Sequence, residues 1–225
     1  MTAPAAAITL YGNLRSRAMR PLWLLREMGV PFEFVPVIQA YRLADPSAPG
    51  APFNTADPAF RALNTQGQVP ILRDGTQVLT ESMAITLHLA RTRGGPLAPA
   101  NAAEDGEALQ WGFVAISALE APSLDILMTC DAGRQDTPDG QTVLATASAA
   151  LMRPLARIEQ HLQGRDWLMG GRFTVADIMV EECLRYAQPH PPALAPFPMV
   201  RAWLERCQSR PIFRTLMQER EAETL

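Results

Sequence analysis

Strand signals in this chain stop before residue 97, and only helical segments follow. A one-way switch of that kind argues for two structural layers built separately, an α/β part and then an all-α part. In the first part, Ile8-Thr9-Leu10-Tyr11 is β-prone and ends at Gly12, and Ser16 to Met28 carries Met19, Leu22, Trp23 and Leu25 at helical spacing. Gly29 is placed to cap that helix, and Pro31 bars its continuation. Phe32 to Val37 forms the second strand of a βαβ unit, whose crossover is expected to be right-handed. After an irregular excursion over residues 39–57, a short helix spans Pro58 to Leu63. Two strands then flank the turn pair Asp74-Gly75, and Glu81 to Arg93 makes a helix stopped by Gly94-Gly95-Pro96. The order reads βαβαββα over residues 1–96, followed by an all-helical domain over 97–225. In that second part, helices are expected near 104–129, 142–163, 174–187, 199–209 and 211–222, broken by turn chemistry at Asp136 to Gly140, Gly170-Gly171 and Pro189 to Pro192.

Composition excludes several classes. Apolar residues make up 48% of the chain and charged ones 19%, the balance of a folded globular protein. A net charge of −3 supplies no positive field for phosphate backbones, so nucleic acid is not an expected partner. The start, Met1 to Ala7, lacks the basic and apolar regions of a secretion signal, and no uninterrupted apolar run approaches the ~20 residues that cross a bilayer. A cytoplasmic protein without a membrane partner is expected. Cys130, Cys183 and Cys207 are far apart and lack ligand-spaced histidines, which indicates neither a disulfide framework nor a metal site. His88, His161 and His190 stand in no partnered pattern and read as surface or packing residues.

Two short segments carry chemistry. An X-Pro bond keeps only ~0.5–1 kcal/mol of trans preference, so a loop entering a strand can hold Pro70 in cis. Such a bend turns Val69 outward, with its backbone N–H and C=O placed to pair with an extended peptide-like ligand. Glu81-Ser82 opens a helix, where N–H groups and the positive dipole end favour a carboxylate, and an acidic side chain can hold an ammonium. A small zwitterionic peptide fits that pair of features.

Asn64-x-x-Gly67-x-Val69-Pro70-x-Leu72, then Asp74-Gly75, then Glu81-Ser82-x-Ala84-Ile85, resembles the N-terminal motif of the cytosolic glutathione transferases in order and spacing. The resemblance implies a thioredoxin-like N-terminal domain, a cis Pro70, Val69 on the cysteinyl backbone of glutathione, and Glu81 and Ser82 on its γ-glutamyl end. Gln68 stands where many members carry lysine within reach of the glycyl carboxylate, which weakens that contact here. Ser16-Arg17-Ala18-Met19-Arg20 is similar to the serine-containing stretch of bacterial, serine-type, theta-like members. It makes Ser16 the expected thiolate donor, with Asn13 as rival. A hydroxyl bonded to the thiolate lowers a thiol pKa from about 8.5. Read on its own, Ser16 is equally an N-cap. Arg15 and Arg17 could add positive field, and Tyr11 reads as packing.

The helical part carries further resemblance. Phe173-Thr174-Val175-Ala176-Asp177 looks like the family's capping box and hydrophobic staple before a buried helix, a folding element. Phe197-Pro198-x-Val200-x-Ala202-Trp203 and Arg210-Pro211 resemble its ending, so the likeness spans nearly the whole chain. It implies a detoxifying transferase acting on small apolar electrophiles, a homodimer, and no metal or cofactor beyond glutathione as co-substrate. An apolar pocket between the domains is expected, with Trp111, Phe113, Val114 and Leu119 as possible contributors, although that spacing is also core spacing. Two other readings stand beside it: a binding protein that keeps the fold without the chemistry, and a glutathione-dependent disulfide reductase, lyase or dehalogenase.

Overall fold

The computed structural model describes residues 8–223; the uncharged start Met1 to Ala7 lies outside them. Strands β1 (Ile8–Gly12), β2 (Glu33–Pro36), β3 (Ile71–Asp74) and β4 (Gln77–Leu79) form one sheet in the order β2-β1-β3-β4. β1 runs parallel to β2 and antiparallel to β3, and β3 pairs antiparallel with β4. With helices α1 (Met19–Met28), α2 (Pro58–Leu63) and α3 (Ser82–Arg93), this is the expected βαβαββα order.

Local chemistry explains the joints. Gly12 ends β1 where a Cβ would lie 2.4 Å from that of Ala18, so only glycine lets α1 return so closely onto the strand. Helix α1 buries Met19, Leu22, Trp23 and Leu25, the side chains whose spacing predicts it, and Gly29 closes it at φ +63°. Helix α2 starts at Pro58 behind Asp57, whose carboxylate accepts from the Ala59 N–H at 2.8 Å. Tyr11, Val37, Phe60 and Ile71 pack together beneath this end of the sheet, so Tyr11 is a packing residue as read.

Beyond the sheet, α4 (Ala102–Val114), a π-helical stretch (Ala115–Leu119) and α5 (Glu120–Asp131) make one continuous helix, followed by α6 (Pro138–His161), α7 (Val175–Leu184), α8 (Pro198–Gln208) and α9 (Pro211–Ala222). Pro122 cannot donate to the carbonyl four residues before it, Ala118, and the helix widens there. Helices α4 and α6 begin earlier than their apolar periodicity suggests because their starts are set by caps. Asn101 accepts from the Ala103 and Glu104 N–H groups, and Thr137 accepts from that of Gly140, with Pro138 in the first turn. In α7 every residue is buried. Its Asp177 carboxylate accepts from the backbone N–H groups of Thr174 (2.9 Å) and Leu168 (3.0 Å), the Thr174 hydroxyl (3.2 Å) and Trp203 Nε1 (2.9 Å). Burial still pushes its pKa up to about 6.

One expectation needs correction. The described residues up to Gly95 and those from Pro211 onward form one compact unit, and Pro96–Arg210 form the other, so α9 does not belong to a helical domain running over 97–225. The reason is packing: Phe213 meets Trp23 of α1 with ring centroids 4.8 Å apart, and Glu219 pairs with Arg26 at 2.7 Å. In addition, the continuous helix Ala102–Asp131 is long and apolar enough to cross a membrane by length and composition, although no single uninterrupted apolar run suggests it. Its inward face carries Ala108, Trp111, Ala115, Leu119 and Ile126, all buried, and it packs on α6 and α7.

Candidate functional site

Strand directions assemble the site. Tyr11 is paired with Ile71, so the end of β1 lies beside the start of β3; Leu72 is paired with Leu79, which brings the end of β4 to the same edge. Gly12 is paired with Pro36 at the end of β2. The turn Asn13 to Ser16, the Val69-Pro70 bend and the start of α3 at Glu81-Ser82 therefore share one end of the sheet.

The bend is built by its approach loop. Asn64, buried, accepts from the Gln66 N–H through its side chain and donates from Nδ2 to the Gln68 carbonyl at 3.0 Å. Gly67 turns the chain at φ +64°, and a Cβ there would lie 2.6 Å from the Arg61 guanidinium carbon and 2.9 Å from the Thr55 carbonyl oxygen. The Val69-Pro70 peptide that follows is cis. Pro70 is buried, Val69 is half-buried against the Tyr11 cluster, and the Gln68 side chain is exposed.

At the start of α3, Glu81 has φ +68°, a conformation that non-glycine residues avoid, and its side chain makes no cap bond. Glu81 is exposed while Ser82 is buried. Arg20 of α1, only 1% exposed, donates from a guanidinium nitrogen to Ser82 Oγ at 2.8 Å. The Ser82 carbonyl accepts from the Thr86 hydroxyl at 2.7 Å.

The turn after β1 separates the two thiol candidates. Asn13 is buried, and its Nδ2 donates to the Val37 carbonyl and to Gln39 Oε1, both at 2.8 Å, which uses both amide hydrogens. Its Oδ1 is buried and has no hydrogen-bond partner among the described residues. The half-buried Ser16 hydroxyl donates to the Asn13 carbonyl at 2.7 Å and accepts from the Ala18 N–H at 3.1 Å, a cap-like bond that braces the entry to α1. Backbone N–H groups of Leu14 and Arg15 donate to the Glu223 carboxylate at 2.9 and 3.2 Å.

The family profile "Glutathione S-transferase, N-terminal domain" matches residues 16–92, and "Glutathione S-transferase, C-terminal domain" matches residues 115–211. Glutathione S-transferase 3 of Zea mays is 32% identical over 93% of this chain and 92% of its own length. The chain belongs to the glutathione S-transferase family. A theta-class glutathione S-transferase from Xanthomonas axonopodis pv. citri, solved with glutathione bound, is 29% identical and superposes with a TM-score of 0.72 over 93% of this chain and 96% of that one. FtsZ-localized protein A of Caulobacter vibrioides is 30% identical over 72% of this chain and 75% of its own length. The sheet with its cis Val69-Pro70 is thus the thioredoxin-like domain of a glutathione S-transferase, and the family binds glutathione.

Within the glutathione S-transferase fold some sequence readings shift. Trp111 and Leu119, weighed as pocket residues, are buried in the helical unit; Trp111 meets His161 edge-on at 4.9 Å. Phe113 is exposed and Val114 half-buried. His88 and His161 are partnered after all. His88 Nε2 lies 3.0 Å from Asp74, which also holds Arg93, and this ties β3 to α3; His161 Nε2 lies 2.9 Å from the Leu168 carbonyl. Arg20 was missed as a site residue, because a buried arginine inside an apolar helical stretch announces itself only through the side chain it reaches.

Proposed function

We propose that this chain conjugates glutathione to small apolar electrophiles, in the cytoplasm, as a detoxifying transferase that needs neither metal nor further cofactor. The observation that carries this reading is the convergence of the Asn13–Ser16 turn, the Val69-Pro70 bend and the Glu81-Ser82 helix start at one edge of the sheet. In this reading the Val69 backbone pairs with the cysteinyl unit, Glu81 takes the γ-glutamyl ammonium, and Ser82 with the α3 N-terminus takes its carboxylate. Gln68 reaches toward the glycyl carboxylate with a neutral side chain.

Ser16 is the thiolate donor. Its proton rests on the Asn13 carbonyl at 2.7 Å, and an anionic sulfur is the stronger acceptor, so the hydroxyl turns to it while keeping the Ala18 N–H. Asn13 is left as a brace, since both its amide hydrogens are spent. The thiolate then forms a carbon–sulfur bond as the leaving group departs with its electron pair, and positioning together with the lowered thiol pKa supplies the acceleration. The same reading includes a homodimer, as the family likeness implies.

The Ser16→Ala variant is expected to lose about 10²-fold in turnover of an aryl halide, as loss of one donor to a developing or stored anion does. Its glutathione affinity by calorimetry should stay within about threefold. Unchanged turnover would remove the role from Ser16. The likeness to FtsZ-localized protein A favours a second reading, a binding protein on the same fold. A wild-type protein that binds no glutathione and turns over no electrophile would establish that one instead.

A further inference from the structure

We propose that Arg20 is a positioning residue that sets the hydrogen-bond polarity of Ser82, committing the Ser82 proton outward to the carboxylate of the bound γ-glutamyl group. The inference rests on the glutathione-binding reading above. A guanidinium has donors and no acceptor, so the 2.8 Å contact between Arg20 and Ser82 Oγ has only one sense: Ser82 accepts. A hydroxyl owns a single proton. With one lone pair held by Arg20, that proton is the part of the group left to donate elsewhere.

The neighbouring groups support that direction. The Thr86 hydroxyl is turned to the Ser82 carbonyl at 2.7 Å, so it holds the first turn of α3 and does not compete for Oγ. Ser82 follows Glu81, whose left-handed backbone presents the start of α3 at the site edge. The α3 N-terminus places positive potential behind Ser82, and Arg20, 1% exposed, keeps its donor on Ser82 away from competing water. Ser82 is thereby poised as a donor to an anion before any ligand arrives. Arg20 lies four residues after Ser16, so the turn entering α1 carries the proposed thiol donor and the first turn of α1 carries the residue that prepares the opposite end of the peptide. The consequences of changing Arg20 fall on glutathione affinity and leave the thiol step alone.

The test compares two substitutions of similar reach, by calorimetry with glutathione and by steady-state kinetics. Arg20→Gln carries an acceptor that draws the Ser82 proton inward, and affinity is expected to fall at least tenfold with kcat at saturating glutathione kept within about threefold. Arg20→Lys, also donor-only, should rescue most of that loss. In a Ser82→Ala background Arg20→Gln should add less than about twofold, because there is no proton left to misdirect. Equal losses in the lysine and glutamine variants, or an undiminished loss in the Ser82→Ala background, would reduce Arg20 to a structural role. If Arg20→Gln does not fold, the preference of wild-type protein for glutathione over its analogue lacking the γ-glutamyl α-carboxylate decides the matter. That preference should collapse in Ser82→Ala, and its survival overturns the inference. Wild-type protein that binds no glutathione would overturn the functional reading itself, an outcome distinct from each of these.

Discussion

Glu81 holds a backbone that glycine would adopt more cheaply. At φ +68° a residue with a side chain carries strain on the order of 1–3 kcal/mol, tolerated where the surroundings fix it and where function uses the result. Here the strained residue places an exposed carboxylate at the helix start, where the proposed reading puts the γ-glutamyl ammonium. Glu81→Gly should therefore raise stability by on the order of 1 kcal/mol in denaturant titrations, after glycine's greater entropy in the unfolded chain is subtracted, while weakening glutathione binding tenfold or more. A variant that is destabilised and binds normally would contradict both halves. Gly67 is the converse case, since its positive φ and the nearby Thr55 carbonyl leave no place for a side chain.

At the scale of elements, α7 concentrates the titratable burial of the helical unit. Glu181 is fully buried, with Gln208 Nε2 donating to Oε1 at 2.8 Å and Oε2 buried without a hydrogen-bond partner among the described residues. Burial first, and the Glu182 carboxylate second, push its pKa up to about 8 against the pull of Arg185 and Gln208. Arg185 is engaged with Glu182 at 3.0 Å, and the Cys207 thiol, itself pushed up by burial and by Asp177 and Glu181, is neutral. Because the folded-state pKa lies above the ordinary 4.5, the folded protein holds a proton that the unfolded chain releases. The stability this contributes is complete below about pH 4.5 and is lost as pH rises through about 8. Glu181→Gln, which mimics the protonated acid, should flatten the decline between pH 6 and 9 by on the order of 2 kcal/mol in chemical denaturation. Parallel pH profiles for the two proteins would mean that Glu181 does not titrate in that window.

Over the whole molecule, the chain's last described residues return to its first turn. Helix α9 packs on α1, and the Glu223 carboxylate takes the N–H groups of Leu14 and Arg15, 209 and 208 residues away. Those two groups lie within the turn, between Asn13 and Ser16, so Glu223 braces the turn that carries the proposed thiol donor. Glu223→Ala should cost about 1 kcal/mol, a hydrogen-bonded charge discounted for exposure, and speed amide exchange in residues 14–17 more than elsewhere. Exchange that is unchanged there would show that the turn stands without the brace.

The sequence by itself determined the order of elements, the two-layer plan, the cis-prone Val69-Pro70 bend, the capping of α7 and the family. Each is written in neighbouring residues: period two or 3.6, a proline, a cap, a motif. Only the tertiary structure decided which side chains meet. Arg20 and Ser82 are 62 residues apart and Asn13 and Gln39 are 26 apart, so no local pattern announces that one pair sets a hydroxyl's polarity or that the other spends an amide. The same holds for α9, whose amphipathic pattern predicts a helix but not a partner. Its place beside α1 follows from the fit of Phe213 on Trp23 and of Glu219 on Arg26, contacts that exist only once the chain has closed on itself.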